Sequence, residues 1–138
     1  MNEKTCEQRI DEQLRGEIKH LRKLWDGYCQ GIDEDEDWDD EQFHEHGSSF
    51  DYVPAGTFED QDRGYWRYQI SGGGPSDEFR FFSGRELCLY RVEYWFLDWF
   101  DGASRRLYDD DRELLEEIWD HFKECGAVEH VFNEAVGA

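Results

Sequence analysis

The sequence predicts an α+β domain in which a long N-terminal helix and C-terminal helices pack on one face of an antiparallel β-meander of about four strands. Apolar residues recur every three or four positions near both ends of the chain, which is the helical period. From residue 49 onward, short runs rich in Tyr, Phe, Trp and Val are separated by Gly, Pro and Asp, which is typical of antiparallel strands. With 138 residues, of which 38% are hydrophobic, the chain 1–138 is expected to form a single domain around one core.

The N-terminal helix is predicted from one apolar face. That face consists of Ile10, Leu14, Ile18, Leu21, Trp25 and Tyr28. Thr5, followed three residues later by Gln8, matches a capping box, so we expect the helix to begin there. Gly27 or Gly31 is expected to end it.

The predicted strands lie near residues 49–53, 64–70, 78–83 and 86–96. The pair Ser83 and Gly84 predicts a tight turn, and the Gly-rich residues 71–77 predict a longer one. In the last strand Arg91 and Glu93 alternate with apolar residues, which indicates one wet face and one dry face. Residues 94–100 are too apolar for an exposed edge, so this strand should be central or covered.

Two helices are predicted after the strands. Asp110 with Glu113 gives a second capping signal. The apolar face that follows consists of Leu114, Leu115, Ile118, Trp119 and Phe122, and a short final helix is expected to contain Val128, Val131 and Phe132.

The negative charge is confined to two segments of the chain. Residues 32–62 carry thirteen Asp and Glu residues and neither Lys nor Arg, and residues 109–138 carry ten acids against two bases. Residues 1–31 are neutral overall, and residues 63–108 have a net charge of +1. Proteins adapted to high salt are acidic all over, although the excess of Arg over Lys leaves that adaptation as an alternative.

The net charge of −20 argues against nucleic acid and anionic lipid as direct ligands, because binding to phosphates requires clustered Lys and Arg. The expected partner is therefore basic. The sequence has neither the apolar region of a signal peptide nor a run long enough to span a bilayer, so a cytoplasmic location without membrane contact is expected. The cysteines Cys6, Cys29, Cys88 and Cys125 form no CxxC pair and are expected to be reduced and mostly packed.

The motifs of the sequence give little support for metal binding or catalysis. Asp33, Asp35 and Asp37 match the start of an EF-hand loop, but Trp38 stands where the loop needs Gly and His44 where it needs a bidentate Glu. The sequence His-Glu-His at 44–46 offers two imidazoles on one side of an extended segment. The stretch SGGGPSDE lacks the GK[ST] ending of a phosphate-binding loop, and no nucleophile-elbow motif is present. We therefore expect no enzyme and no cofactor, with metal binding by the acidic loop kept as an alternative.

The acidic loop at about residues 32–47 is the first candidate surface for a partner. Its candidate partner-binding residues are Asp33, Glu34, Asp35, Glu36, Asp37, Trp38, Asp39, Asp40 and Glu41. Crowded like charges destabilise a compact state, so such a loop suggests a cationic partner. A large apolar side chain surrounded by charge is typical of an interface anchor, which is the role expected for Trp38.

The first C-terminal helix is the second candidate surface. Its candidate residues fall three or four positions apart and are Asp109, Glu113, Glu116, Glu117, Asp120 and Glu124. A helix places such residues along one side. This row of carboxylates resembles the row of charges along a nucleic-acid strand, so a protein that grips phosphates is expected to grip it too. An ordinary solvated helix face is the alternative.

The block FDYVPAGTFEDQDRGYWRYQISGGGPSDEFRFF, with RVEYWFLDWFDGA after it, resembles a family of small acidic proteins of conjugative plasmids and other bacterial mobile elements. The resemblance extends from about Cys6 to Phe132 and implies a genetic context rather than a set of functional residues. In size, charge and lack of catalytic motifs, the chain is also similar to DNA-mimicking inhibitors of restriction and CRISPR enzymes.

The leading functional hypothesis is a non-enzymatic inhibitor that occupies the nucleic-acid site of a bacterial defence complex, by an anti-CRISPR or anti-restriction action. An immunity or antitoxin protein that binds one basic toxin is the alternative from another class.

Overall fold

The computed structural model describes residues 5–29, 49–58, 61–71, 76–98 and 101–137. Within these ranges the chain forms three α-helices and one antiparallel sheet of five strands, in the order β1-β2-β3-β4-β5. The helices are α1 (Cys6–Cys29), α2 (Asp109–Glu124) and α3 (Ala127–Val136). The strands are β1 (Ser49–Val53), β2 (Tyr65–Ser71), β3 (Ser76–Ser83), β4 (Leu89–Asp98) and β5 (Asp101–Arg106). The predicted α+β meander with helices on one sheet face is confirmed.

The core lies between the helices and one face of the sheet. Trp119 of α2 stacks on Phe81 of β3 and meets Trp66 of β2 edge to face, with 5.2 Å between ring centroids in both pairs. The Trp66 indole donates a hydrogen bond of 3.0 Å to the backbone oxygen of Val128 in α3, so this buried polar group is satisfied. Helix α1 covers β4 and β5, and α3 covers β1.

The fifth strand corrects the prediction of about four. Residues 101–106, for which no element was predicted, pair with β4, from Asp98 opposite Asp101 to Glu93 opposite Arg106. Ala103 faces the core, whereas Arg105 reaches α1 and pairs with Glu7 and Asp11. Strand β4, which was predicted to be central or covered, is paired on both sides.

The N-terminus of α1 is fixed by side-chain caps. The backbone N–H of Thr5 donates to the Gln8 side chain at 2.9 Å, and that of Gln8 donates to the Thr5 hydroxyl at 3.3 Å, which confirms the predicted capping box. Asp101 of β5 also accepts the backbone N–H of Cys6 at 2.7 Å. This hydrogen bond holds the pKa of the Asp101 carboxyl below its ordinary value.

Two other sequence expectations are wrong. Helix α2 has Tyr108 at its N-cap, in extended conformation and without a side-chain cap, so the predicted Asp110 box does not form. Of the four cysteines only Cys6 is buried, and Cys29, Cys88 and Cys125 are exposed free thiols. Among the described helices, none is long and apolar enough to cross a membrane.

Candidate functional site

The acidic residues predicted on α2 lie on one side of that helix, as their spacing requires. The set Asp109, Glu113, Glu117, Asp120 and Glu124 is exposed, and we call it the acidic face of α2. Glu116 differs because it is half-buried and pairs with Arg112 one turn earlier, at 3.2 Å. The opposite side of the helix, with Leu114, Leu115, Ile118 and Trp119, is buried in the core.

Arginines pair with four carboxylates on the sheet but with none on the acidic face of α2 in the described part of the chain. Asp98 pairs with Arg9, Asp51 with Arg67, Glu78 with Arg80 and Glu93 with Arg91, all at 2.6–2.8 Å. Within the described ranges, no carboxylate of the acidic face of α2 has an ion pair or a hydrogen bond. The acidic face is therefore an uncompensated negative surface on a rigid element.

The predicted residues of the acidic loop, from Asp33 to Glu41 and including Trp38, lie outside the described residues, as do His44 and His46. The structure thus places the candidate residues of α2 together and leaves their relation to the loop untested. In the described part of the chain, no three His, Cys, Asp or Glu side chains come together as a metal site.

The sheet face that the described helices leave open carries a second cluster of charge. Neighbouring strands place Asp51, Arg67, Arg80, Glu93 and Arg106 opposite one another, so one row of charged side chains crosses the sheet from β1 to β5. We call these five residues the charged row. Alternate residues of each strand face the core, because successive side chains point to opposite faces of a sheet.

Arg80 is the centre of the charged row. The Cζ atom of its guanidinium lies 3.8 Å from the ring centroid of Trp95 and 4.5 Å from that of Tyr65. Cation–π contacts with these two rings therefore fix the position of the guanidinium. Its Nε donates to Oε2 of Glu78 at 2.7 Å, and the Glu78 side chain is only 4% exposed. A carboxylate buried to this extent requires such a partner.

Glu93 is the second buried carboxylate of the open face. Its Oε1 accepts the Trp95 indole N–H at 2.8 Å, and its Oε2 accepts Nη2 of Arg91 at 2.6 Å. Two polar atoms beside this network, Nε of Arg91 and the hydroxyl of Tyr65, are buried without a hydrogen-bond partner in the described structure.

A cleft of about 910 Å³ opens over this network. The floor comes from β2, β3 and β4, and part of the wall comes from residues 58 and 61–63 of the segment between β1 and β2. Burial raises the pKa of the Tyr65 hydroxyl at the edge of the floor, so this group stays protonated and can donate a hydrogen bond.

Sequence reasoning identified the alternation of Arg91 and Glu93 but not the charged row or the cleft. A signal for them exists, because Arg67, Arg80 and Arg91 each sit between aromatic or apolar residues of a predicted strand. Their segment, residues 63–108, is also the one segment with a positive net charge. Register, which the sequence does not give, decides that these arginines share one face.

Comparisons with known proteins find no matching family model, no matching curated protein and no matching solved structure. Two features of the molecule bear on its function, namely the acidic face of α2 and the cleft on the open face of the sheet. The resemblance to acidic proteins of mobile elements stays a prediction.

Proposed function

We propose that the protein is a non-enzymatic acidic inhibitor that occupies the nucleic-acid site of a bacterial defence nuclease or surveillance complex. The observation that carries this proposal is the contrast between the two charged regions. Four carboxylates on the sheet have arginine partners, whereas five exposed carboxylates of α2 have none among the described residues. A surface that is left uncompensated in this way suits a basic partner.

The spacing of the acidic face supports the same function. Side chains three or four residues apart on a helix have Cβ atoms about 5–6 Å apart, so the four carboxylates of the acidic face from Glu113 to Glu124 form a continuous row. Each like-charge pair at this spacing destabilises a helix by about 0.2–0.5 kcal/mol. Lys and Arg side chains that grip a phosphate backbone can pair with such a row in place of the phosphates.

The packing of α2 favours binding without rearrangement. Leu114, Leu115 and Ile118 are buried on the opposite side of the helix and hold it against the sheet. A preformed helix presents its charges without an ordering cost on binding, which increases affinity. The acidic face can therefore act as a rigid substitute for a nucleic-acid strand.

The proposal is tested by competition with nucleic acid. Purified restriction and CRISPR effector complexes are loaded with fluorescent DNA or RNA, and release of the label is followed as the protein is added. The triple variant Glu113→Gln, Glu117→Gln, Asp120→Asn removes three charges from the acidic face. We expect it to weaken inhibition of the susceptible complex at least about tenfold, mainly through the association rate.

A matched control separates this effect from a change in total charge. The triple variant Glu12→Gln, Glu129→Gln, Glu134→Gln also removes three exposed carboxylates, but from α1 and α3. It should inhibit nearly as well as the original protein. Equal inhibition by both triple variants, or inhibition that does not change between low and high salt, would exclude the acidic face of α2 as the contact surface.

A further inference from the structure

The cleft on the open face of the sheet has the size and composition of a small-molecule site. Its volume of about 910 Å³ lies within the usual range for ligand pockets, roughly 300–1,000 Å³. Aromatic side chains from three strands, Tyr65, Phe82, Tyr90 and Trp95, line it together with arginines. Such sites are mostly apolar, with a few polar groups that fix the orientation of the ligand.

Two aromatic side chains at the rim of the cleft are exposed. Phe58 is 51% exposed and Tyr90 is 38% exposed. Both line the cleft, whereas most of the aromatic residues in the described ranges pack in the core. Exposed rings around a concavity favour a planar ligand that stacks on them.

The polar groups of the cleft favour an anion. The Nε–H groups of Arg67 and Arg80 donate to Asp51 and Glu78. Arg91 differs because it uses Nη2 for Glu93 and keeps its buried Nε–H without a partner in the described structure. The side chain of Arg91 as a whole is 43% exposed, so a small rotation brings this N–H to a ligand. An arginine N–H can only donate, so the missing group is an acceptor such as a phosphate or carboxylate oxygen.

The charges that line the cleft permit an anion to bind there, even though the whole chain has a net charge of −20. Four arginines line the cleft, Arg63 among them, against the three acids Asp62, Glu78 and Glu93. The acidic face of α2 lies on a helix that packs against the other face of the sheet. Repulsion from exposed charges is largely screened beyond about 10 Å at 0.1 M salt.

We propose that this cleft binds a small planar aromatic ligand that carries an anionic group, with a free mononucleotide as the ligand class. The base stacks at the rim on Tyr90 and Phe58, and the phosphate accepts hydrogen bonds from Arg91 and from Arg63, which lies beside the Tyr90 ring and donates to its hydroxyl at 2.9 Å. The inference is independent of the inhibitor function because it uses the opposite side of the sheet.

The test is isothermal titration calorimetry of the full chain with AMP, adenosine and inorganic phosphate, each up to about 1 mM. AMP should bind, and adenosine and phosphate should each bind at least about tenfold more weakly, since each lacks one of the two contacts. No binding of AMP, or equal binding of adenosine, would overturn the proposal. A ten-residue oligoadenylate should bind more weakly than AMP, because the acidic remainder of the protein repels a polyanion, and tighter binding would exclude a free mononucleotide as the ligand.

Variants locate the site. Arg91→Gln should weaken AMP binding at least about tenfold, the loss expected for one charge-assisted hydrogen bond, and Tyr90→Ala should weaken it several-fold. Arg22→Gln on α1 and Tyr108→Ala, another exposed tyrosine, are the matched controls and should bind AMP as the original does. Thermal unfolding shows whether each variant is folded. If Arg91→Gln does not fold, the AMP affinity of Tyr90→Ala, a change at the exposed rim, tests the location of the site. Unchanged affinity in Tyr90→Ala would place AMP elsewhere.

Discussion

Replacing Arg80 with Met tests whether the buried ion pair of the open face stabilises the fold. The methionine keeps a flexible apolar chain between Tyr65 and Trp95 but removes the guanidinium that neutralises Glu78. The Glu78 side chain is 4% exposed and the Arg80 side chain 14% exposed, so water can do little to replace the lost partner. The variant therefore contains a nearly buried carboxylate without its ion pair.

The expected destabilisation follows from these exposures. Breaking a buried ion pair by removing one partner costs about 3–5 kcal/mol. Each stacked ring adds about 0.5–1 kcal/mol of cation–π energy, part of which the methionine packing replaces. Because Arg80 is not fully buried, we expect a loss of about 3 kcal/mol in the free energy of unfolding, which corresponds to a fall of about 10 °C in Tm for a chain of this size.

Urea unfolding followed by circular dichroism measures this loss. The double variant Glu78→Gln with Arg80→Met should be more stable than Arg80→Met alone, because it no longer contains the uncompensated charge. Arg15→Met, which replaces an exposed arginine of α1, should change stability by less than about 0.5 kcal/mol. A loss below about 1 kcal/mol for Arg80→Met, or a double variant less stable than the single one, would refute the reasoning.

Three further predictions concern local structure. A Cβ at Gly64 would overlap the hydroxyl of Tyr52, so Gly64→Ala should lower the free energy of unfolding by about 1–3 kcal/mol. Gly16 lies inside α1 with open space around it, so Gly16→Ala should raise the free energy of unfolding by about 0.5–1 kcal/mol. Equal shifts in Tm for the two variants would contradict this. Thr5→Ala removes the cap of α1 and should cost about 1 kcal/mol in urea unfolding, and a neutral result would mean that the cap does not form in solution. The pKa of Asp101 is lowered from its ordinary value of 3.8 by hydrogen bonds from backbone N–H groups, so its stabilising effect is present above that pH and is lost as the pH falls through the lowered pKa. The difference in free energy of unfolding between the unmodified protein and Asp101→Asn should accordingly be larger at pH 6 than at pH 2. A difference that does not change with pH would contradict the lowered pKa of Asp101.

Local patterns of the sequence predicted the elements whose signals are complete within a few residues. The apolar period from Ile10 to Tyr28 gives α1, and Thr5 with Gln8 gives its start, because a capping box needs only backbone and side chains within one turn. The first strand was predicted at its observed bounds, residues 49–53. These features depend on local conformation and on burial of one face, both of which the sequence encodes directly.

Tertiary structure decided the features that depend on a partner distant in the chain. Strand β5 lacks an apolar alternation because α1 covers it with an ion pair from Arg105 to Asp11, so only pairing with β4 reveals it as a strand. The spacing of Asp110 and Glu113 is also that of a capping box, but the box does not form because α2 begins one residue earlier, at Asp109.

The charged row and the cleft are also products of register. A shift of one residue in the pairing of β3 with β4 would turn Arg80 and Glu93 to opposite faces of the sheet. The sequence alone therefore determined how much charge each segment carries and which segments are helical or extended. Only the assembled structure brought Arg67 to Asp51 and Arg9 to Asp98, because the partners of these two pairs lie 16 and 89 residues apart in the chain. The other two pairs, Glu78 with Arg80 and Arg91 with Glu93, join residues of one strand that point to the same face of the sheet.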